Sequence, residues 1–361
     1  VLPPLKEQMH FSGTTMGMMI SIFAIAQLIA SPAAGYLSDK VGRKKLIALG
    51  MIIFSFSELL FGLAQVKAVF YISRALGGIA AALLMPSVTA YVADLTTVAE
   101  RAKAMGKVSA AISGGFIIGP GVGGFIAKFG IRVPFYVAAL LAFVGFILSM
   151  TVLKESEKTM DINPEATQSS FLDILKNPMF TSLFVVILIS SFGLQAFESI
   201  YSIMATINFG FTMSEIALII TVSGILALFF QLFLFDWIVE KIGEMHLIHL
   251  TLFASALFIA IIAFTGNRIT VALSTFVVFL AFDLFRPAVT TYLSKHAGDQ
   301  QGAINGLNST FTSFGNILGP LAAGMMFDIN HFFPYCISAI ILLGTGILSM
   351  LMTRKRKQAD F

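Results

Sequence analysis

The chain has 361 residues, of which 57% are hydrophobic and only 12% charged, with a mean hydropathy of +0.90. Soluble domains carry about 25% charged residues, so the composition excludes a soluble domain and describes a polytopic, all-α membrane protein. The formal charge of +4 is spread too unevenly to mark a nucleic-acid partner, and the single cysteine, Cys336, excludes an intrachain disulfide.

A helix needs about 20 apolar residues to cross ~30 Å of hydrocarbon. Runs of that length fall at 15–37, 46–64, 69–93, 108–127, 133–153, 180–207, 216–239, 247–264, 270–293, 304–327 and 333–352. Short loops join them, except for the polar stretch 154–178, rich in Lys, Glu, Asp, Ser and Pro, which reads as a linker. The expected organisation is an N-terminal bundle over 1–153, the linker, a C-terminal bundle over 179–353 and a basic tail over 354–361. Five spans precede the linker and six follow it. A missing first helix is therefore expected, with 1–6 as its outer end; no signal peptide is visible and the chain opens without Met.

Lys and Arg lie mostly on one side of these spans. Sixteen fall in the loops beginning at Lys40, Arg101, Lys154, Lys241 and Lys295 and in the tail, against five on the other side: Lys6, Lys67, Lys128, Arg132 and Arg268. By the positive-inside rule the first group is cytoplasmic, which puts the visible N-terminus outside and the tail inside. Trp237, the one tryptophan, sits at a cytoplasmic helix end, where an interfacial anchor is expected.

The sequence also repeats. Asp39-Lys40-Val41-Gly42 is echoed by Glu240-Lys241-Ile242-Gly243, and Pro86-Ser87-Val88-Thr89-Ala90-Tyr91 by Pro287-Ala288-Val289-Thr290-Thr291-Tyr292, both 201 residues apart; Gly119-Pro120 recurs as Gly319-Pro320. Two pseudo-symmetric bundles in one orientation follow, a parallel repeat whose binding site is expected near the bilayer midplane between them.

Charges inside the spans are the chemically informative residues, since each costs at least ~2.5 to 3.5 kcal/mol there. Asp283 and Arg286 interrupt the apolar run 277–287 and share a helix face, so they form either a self-neutralised structural pair or a site of proton uptake and release, apolar surroundings disfavouring the ionised acid. Glu198 has Leu194, Gln195, Tyr201 and Ser202 at helical spacing. A buried carboxylate beside aromatic rings suits an amphipathic organic cation, through Coulomb attraction and cation–π contact. Phe23, Gln27, Phe116, Phe279 and Phe282 are further lining candidates. Glu58, a third acid in a span, is expected to make local hydrogen bonds. No metal cluster, nucleophile triad or phosphate loop is visible, so neither an enzyme nor a cofactor is expected; His246 and His249 lack a third ligand and read as interfacial.

The loop Gly35-Tyr36-Leu37-Ser38-Asp39-Lys40-Val41-Gly42-Arg43-Lys44-Lys45 resembles the signature loop of the major facilitator superfamily. The glycines allow a tight turn between packed helices, Asp39 can face a helix N-terminus, and Arg43 can reach an acid at another helix end, with Asp94 as the candidate. In that family the loop is understood as a conformational latch. Gly115-Phe116-Ile117-Ile118-Gly119-Pro120-Gly121-Val122-Gly123-Gly124 is similar to the glycine-proline motif of its drug:proton antiporters, in which small residues let backbones approach and proline kinks the helix. Arg74, in Ser73-Arg74-Ala75-Leu76-Gly77-Gly78, matches the arginine that the family associates with proton coupling. The stretches around Glu198, Asp283 and Asn308 look like the NorA group of bacterial multidrug efflux pumps.

That resemblance implies a monomeric exporter in the bacterial cell membrane. It would exchange outside protons for cytoplasmic drugs (fluoroquinolones, dyes, quaternary ammonium compounds) by alternating access. Glu198 and Asp283 would be the carboxylates for proton and substrate, with Arg286 as their neighbour. Two alternatives remain at this stage: a proton symporter or uniporter for a nutrient such as a sugar on the same scaffold, and a membrane receptor or channel.

Overall fold

The computed structural model describes residues 9, 11–155, 174–296 and 301–359. The expected outer helix end at 1–6 and most of the linker lie outside the described residues, as do the side chains of the basic tail. Among the described residues the architecture is wholly helical: α1 Gly13–Val41, α2 Arg43–Leu63, α3 Lys67–Leu95, α4 Val98–Ile126, α5 Val133–Val152, α6 Pro178–Phe209, α7 Met213–Phe229, α8 Phe235–Ile242, α9 Glu244–Phe264, α10 Arg268–His296, α11 Gln301–Ile329 and α12 Phe333–Ala359. A π-helical turn, Phe230–Leu234, joins α7 to α8, so that the span expected at 216–239 is one helix with a bulge. Nine of these spans are long and apolar enough to cross a bilayer. Each expected apolar run lies within a helix or overruns its C-terminal end by one residue, except that 216–239 spans α7, the π-helical turn and α8.

The ends of the helices follow local chemistry. Gly42 (φ +108°) and Gly243 (φ +78°), each just before a helix, adopt left-handed backbone that other residues resist. They occupy equivalent places in the repeat, as do α2 and α9, and α3 and α10, whose starts are 201 residues apart. Thr212 caps α7 reciprocally with Glu215: the Thr212 amide donates to Glu215 Oε2 at 2.7 Å, and the Glu215 amide donates to Thr212 Oγ1 at 3.3 Å.

By their contacts the residues divide into two compact units, Val1–Phe11 with Met18–Ile162, and Ser12–Gly17 with Asn163–Phe361. In the first, α2 is the central strut. Ser57 and Ser73, both fully buried, donate to each other's backbone carbonyls at 2.8 Å and fix α2 against α3. On its other side the Ser55 hydroxyl donates to the Ala139 carbonyl of α5 at 2.7 Å, while Arg132 and Tyr136 donate to the Gly62 carbonyl at its C-terminus.

In the second unit α6 is the buried axis. Gly315 and Gly319 of α11 lie directly on its backbone: a Cβ at Gly319 would stand 2.7 Å from the Phe192 carbonyl oxygen and 3.0 Å from the Ala196 nitrogen. Small residues four apart permit this approach, and Phe184 stacks on Phe311 beside it at 5.3 Å. The first turn of α1 also belongs to this unit. A Cβ at Gly17 would collide with the Pro320 carbonyl. Asp328 at the end of α11 accepts hydrogen bonds from the Gly13 amide and from the Thr14 amide and hydroxyl, the last two at 2.8 and 2.6 Å.

Candidate functional site

In the first unit, Phe23 and Gln27 of α1 are held against the Gly77-Gly78 pair of α3. A side chain at Gly78 would collide with the Phe23 carbonyl, and the Phe23 ring edge comes within 3.2 Å of where a Gly77 Cβ would be. Arg74, on the same stretch of α3, bridges to Glu58 of α2 (Nη2 to Oε1, 2.6 Å) and lies over the Phe61 ring at 4.4 Å. Its Nε is buried without a hydrogen-bond partner. Glu58 was expected to make local hydrogen bonds; its partnership with Arg74, on the next helix, was not foreseen. A lone acid and a lone base in successive apolar spans are the signal that could have suggested it. The Phe116 side chain lies outside the described residues.

The loop between α1 and α2 brings Arg43 to Asp94 as its spacing suggests, Nε to Oδ2 at 3.3 Å, while the Arg43 Nη1 donates to the Ser38 hydroxyl at 3.1 Å. Arg43 is 4% exposed, so its charge depends on these partners. Glu155, beyond α5, accepts from the Lys44 amide at 3.2 Å and sits where a Gly42 Cβ would point; sequence reasoning missed it. The Asp39 side chain is outside the described ones. Gly35 lies within α1 rather than in a turn, and among the described residues nothing stands within 4 Å of where its Cβ would be. The same holds for Gly115, Gly119 and Gly123 around Pro120 in α4. The physical reason is that α6, on which the repeat-mate Gly319 packs, has no counterpart among the described helices of the first unit.

The second unit gathers Glu198, Asp283 and Arg286. Of residues 179–206 in α6, Glu198 alone is exposed, although its neighbours Phe197 and Ile200 are fully buried. Glu198 thus reaches the surface of the unit from a stretch of helix whose other positions are buried or half-buried, with protein packed closely around its carboxylate. Gln195 Nε2 donates to Glu198 Oε2 at 3.1 Å. On α10, Asp283, Arg286 and Thr290 form one exposed stripe. Arg286 is in electrostatic range of both Glu198 and Asp283, and the two carboxylates are in range of each other. Among the described residues no direct ion pair joins Asp283 to Arg286, so the self-neutralised pair is not what the structure contains. Arg286 is shared by two acids instead.

Behind this surface stand aromatic rings. Phe197 and Tyr201 of α6, Phe279 of α10 and Tyr335 of α12 contact one another at ring separations of 5.2 to 6.0 Å. Phe279 is partly buried, while Tyr201 and Phe282 are 1% and 3% exposed. Tyr335 is wholly buried and was not singled out by sequence, because a tyrosine near a helix start carries no periodic signal. Among the described residues no cluster of three metal-ligating side chains occurs; His249 pairs with Ser349 at 3.1 Å.

Comparison with known proteins agrees with this architecture. The chain is 47% identical to Multidrug resistance protein 2 of Bacillus subtilis (strain 168) over 99% of its own length and 91% of that protein's. It is 36% identical to the Quinolone resistance protein NorA of Staphylococcus aureus (strain COL), over 99% and 92%. The solved nucleoside transporter NupG superposes with a TM-score of 0.80 at 16% identity, covering 96% of this chain and 91% of that one, a likeness of fold. The family model described as Major Facilitator Superfamily matches residues 1–320 and 183–360. This multi-pass helical chain, with its twofold repeat and its charges set into apolar spans, belongs to the Major Facilitator Superfamily and is a membrane transport protein.

Proposed function

We propose that the protein exports amphipathic, cationic drugs such as fluoroquinolones, dyes and quaternary ammonium compounds in exchange for protons, by alternating access. The observation that carries this reading is the exposure of Glu198, alone among residues 179–206 of α6, within electrostatic range of Asp283 and Arg286. The names of the relatives, multidrug and quinolone resistance proteins, support the substrate class.

Two acids sharing one arginine leave a net negative charge when both are ionised, and that charge attracts an organic cation against the adjoining rings. A proton taken up by either acid cancels the attraction. Drug and proton therefore compete for the same carboxylates, and the competition couples the two fluxes. Arg74 and the Arg43–Asp94 contact take the coupling and latch roles, with Gly35 and Asp39 near the C-terminus of α1, Gly42 in the turn after it, and Gly119-Pro120 as the kink. The basic side of the spans is cytoplasmic, so the proton arrives from outside and the drug from within, and one chain suffices.

The test is ethidium efflux from bacterial cells expressing the protein, with and without an uncoupler. Energy-dependent efflux that collapses with the proton gradient is expected. Efflux indifferent to the uncoupler, or saturable uptake of a sugar in its place, would contradict the reading.

A further inference from the structure

Helix α2 starts without a side chain of its own to cap it. Its N-cap position is Gly42, which holds left-handed backbone and offers no side-chain acceptor, so the first amides of the helix must find one elsewhere. Glu155, 111 residues from Lys44 and just past α5, provides it. The Lys44 amide donates to Glu155 Oε1 at 3.2 Å, and the same carboxylate stands 2.5 Å from where a Gly42 Cβ would be. One residue earlier, the Lys154 amide donates to the Tyr91 hydroxyl at 3.1 Å. Tyr91 is a buried residue of α3, close before Asp94 in the last turns of that helix.

Two consecutive residues therefore touch the start of α2 and the end of α3. These are the ends that Arg43 and Asp94 join at 3.3 Å, so the contacts close a ring: Arg43 to Asp94, along α3 to Tyr91, across to Lys154, through the chain to Glu155 and back to Lys44. All of it lies within the first unit. The repeat explains why the ring is needed there. Position 244 of α9 corresponds to 43 and position 295 of α10 to 94, each 201 residues on, and the pair recurs with its charges reversed, Glu244 accepting from Lys295. Glu244 also accepts from its own backbone amide, so α9 supplies its own acceptor although it too follows a glycine without a side-chain cap, Gly243. Arginine in the same place has no acceptor to offer. The cap of α2 then has to come from outside the helix.

We propose that Lys154 and Glu155 fasten the latch. Glu155 is a positioning residue for Arg43: it holds the first turn of α2 so that the guanidinium meets Asp94, and Lys154 holds Glu155 in place against α3. The proposal rests on the Arg43–Asp94 contact acting as the conformational latch. Arg43 and Asp94 are buried, whereas Lys154 and Glu155 are exposed, so the fastening is the part of the ring that water reaches and that can be released without stranding a buried charge. Through it the latch turn, the end of α3 and the chain leaving α5 move as one piece.

The experiment measures ethidium transport in proteoliposomes and amide hydrogen exchange for wild type, Glu155→Ala, Glu155→Gln and Asp94→Asn, and for the charge-reversed variant Arg43→Glu/Asp94→Lys with and without Glu155→Ala. Glu155→Ala should lower ethidium turnover about fivefold at an unchanged KM, the equilibrium equivalent of a lost N-cap, and should speed exchange at residues 43–46. Glu155→Gln, which keeps an acceptor oxygen, should recover most of both. In the charge-reversed variant, which caps itself as α9 does, Glu155→Ala should have no further effect. Unchanged turnover or unchanged exchange in Glu155→Ala, or the same loss in the charge-reversed background, overturns the proposal. Should the charge-reversed variant fail to reach the membrane, exchange at 43–46 carries the test, and equal rates in wild type and Glu155→Ala overturn it. Asp94→Asn separates the two ideas: turnover that survives it removes the latch itself, whereas loss in Asp94→Asn beside normal turnover in Glu155→Ala removes only the fastening.

Discussion

The Arg74 guanidinium lies 2.6 Å from the Glu58 carboxylate, across the seam that Ser57 and Ser73 close with reciprocal hydrogen bonds. Breaking a buried pair by removing one partner strands the other charge, which costs more than removing both. Glu58→Gln should therefore destabilise the protein by about 3 kcal/mol, and the double variant Glu58→Gln/Arg74→Gln should recover much of that loss. A double-mutant cycle read by thermal unfolding in detergent checks this; additive losses would show that the pair is not coupled. If Arg74 also serves proton coupling, the folded double variant will bind ethidium without moving protons.

Arg43 and Asp94 make a similar pair with less exposure, and Gly42 beside them has left-handed backbone. Gly42→Ala should lower stability by about 1–2 kcal/mol from backbone strain alone. The added methyl also meets the Glu155 carboxylate, which holds the Lys44 amide. Gly35→Ala, in open space within a helix, should be neutral or slightly stabilising. Unfolding midpoints of the two variants make the comparison, and equal losses would contradict it.

The two glycine-proline segments invite a paired substitution. Gly319→Leu drives a side chain into the α6 backbone and should cost about 1–3 kcal/mol or prevent folding. Gly119→Leu meets open space among the described residues and should leave folding intact. Membrane yield and unfolding temperature distinguish them; a folded, fully stable Gly319→Leu would contradict the packing described.

Asp328 caps the first turn of α1 from more than 300 residues away, taking two amides and a hydroxyl. Asp328→Ala should cost about 1 kcal/mol, the usual value for a lost N-cap. Asp328→Asn should cost less, because the amide oxygen still accepts while the interaction of charge with helix dipole is lost. Faster amide hydrogen exchange at residues 13–16 in Asp328→Ala, with the rest of α1 unchanged, is the expected signature.

Much of the fold was legible because crossing a bilayer constrains sequence severely: each apolar run became a helix, and the repeat read from Gly42 and Gly243 reappears in their shared positive φ. Arg43 and Asp94 were also legible, since a loop motif fixes one end and a helix terminus the other. Less could be read where three-dimensional neighbours decide. The burial of α6 around an exposed Glu198 depends on α11 and α12 packing against it. The sharing of Arg286 between two acids depends on the approach of α6 to α10 through Phe279. Helical spacing alone placed Arg286 with Asp283, because residues three apart can always meet on one helix, and it could not show that they do not pair. Glu155 and Tyr335 were invisible for the same reason: each acts on an element distant in the chain.

The central claim is that drug and proton compete for Glu198 and Asp283. Proton release on ethidium binding to the purified protein in lightly buffered solution tests it most directly, comparing wild type with the Glu198→Gln/Asp283→Asn double variant. The account predicts that wild type releases protons as ethidium binds near neutral pH, with apparent affinity falling as the solution is acidified, and that the double variant releases none. Ethidium binding to wild type without proton release and with unchanged affinity across that pH range, or equal release by the double variant, would contradict it.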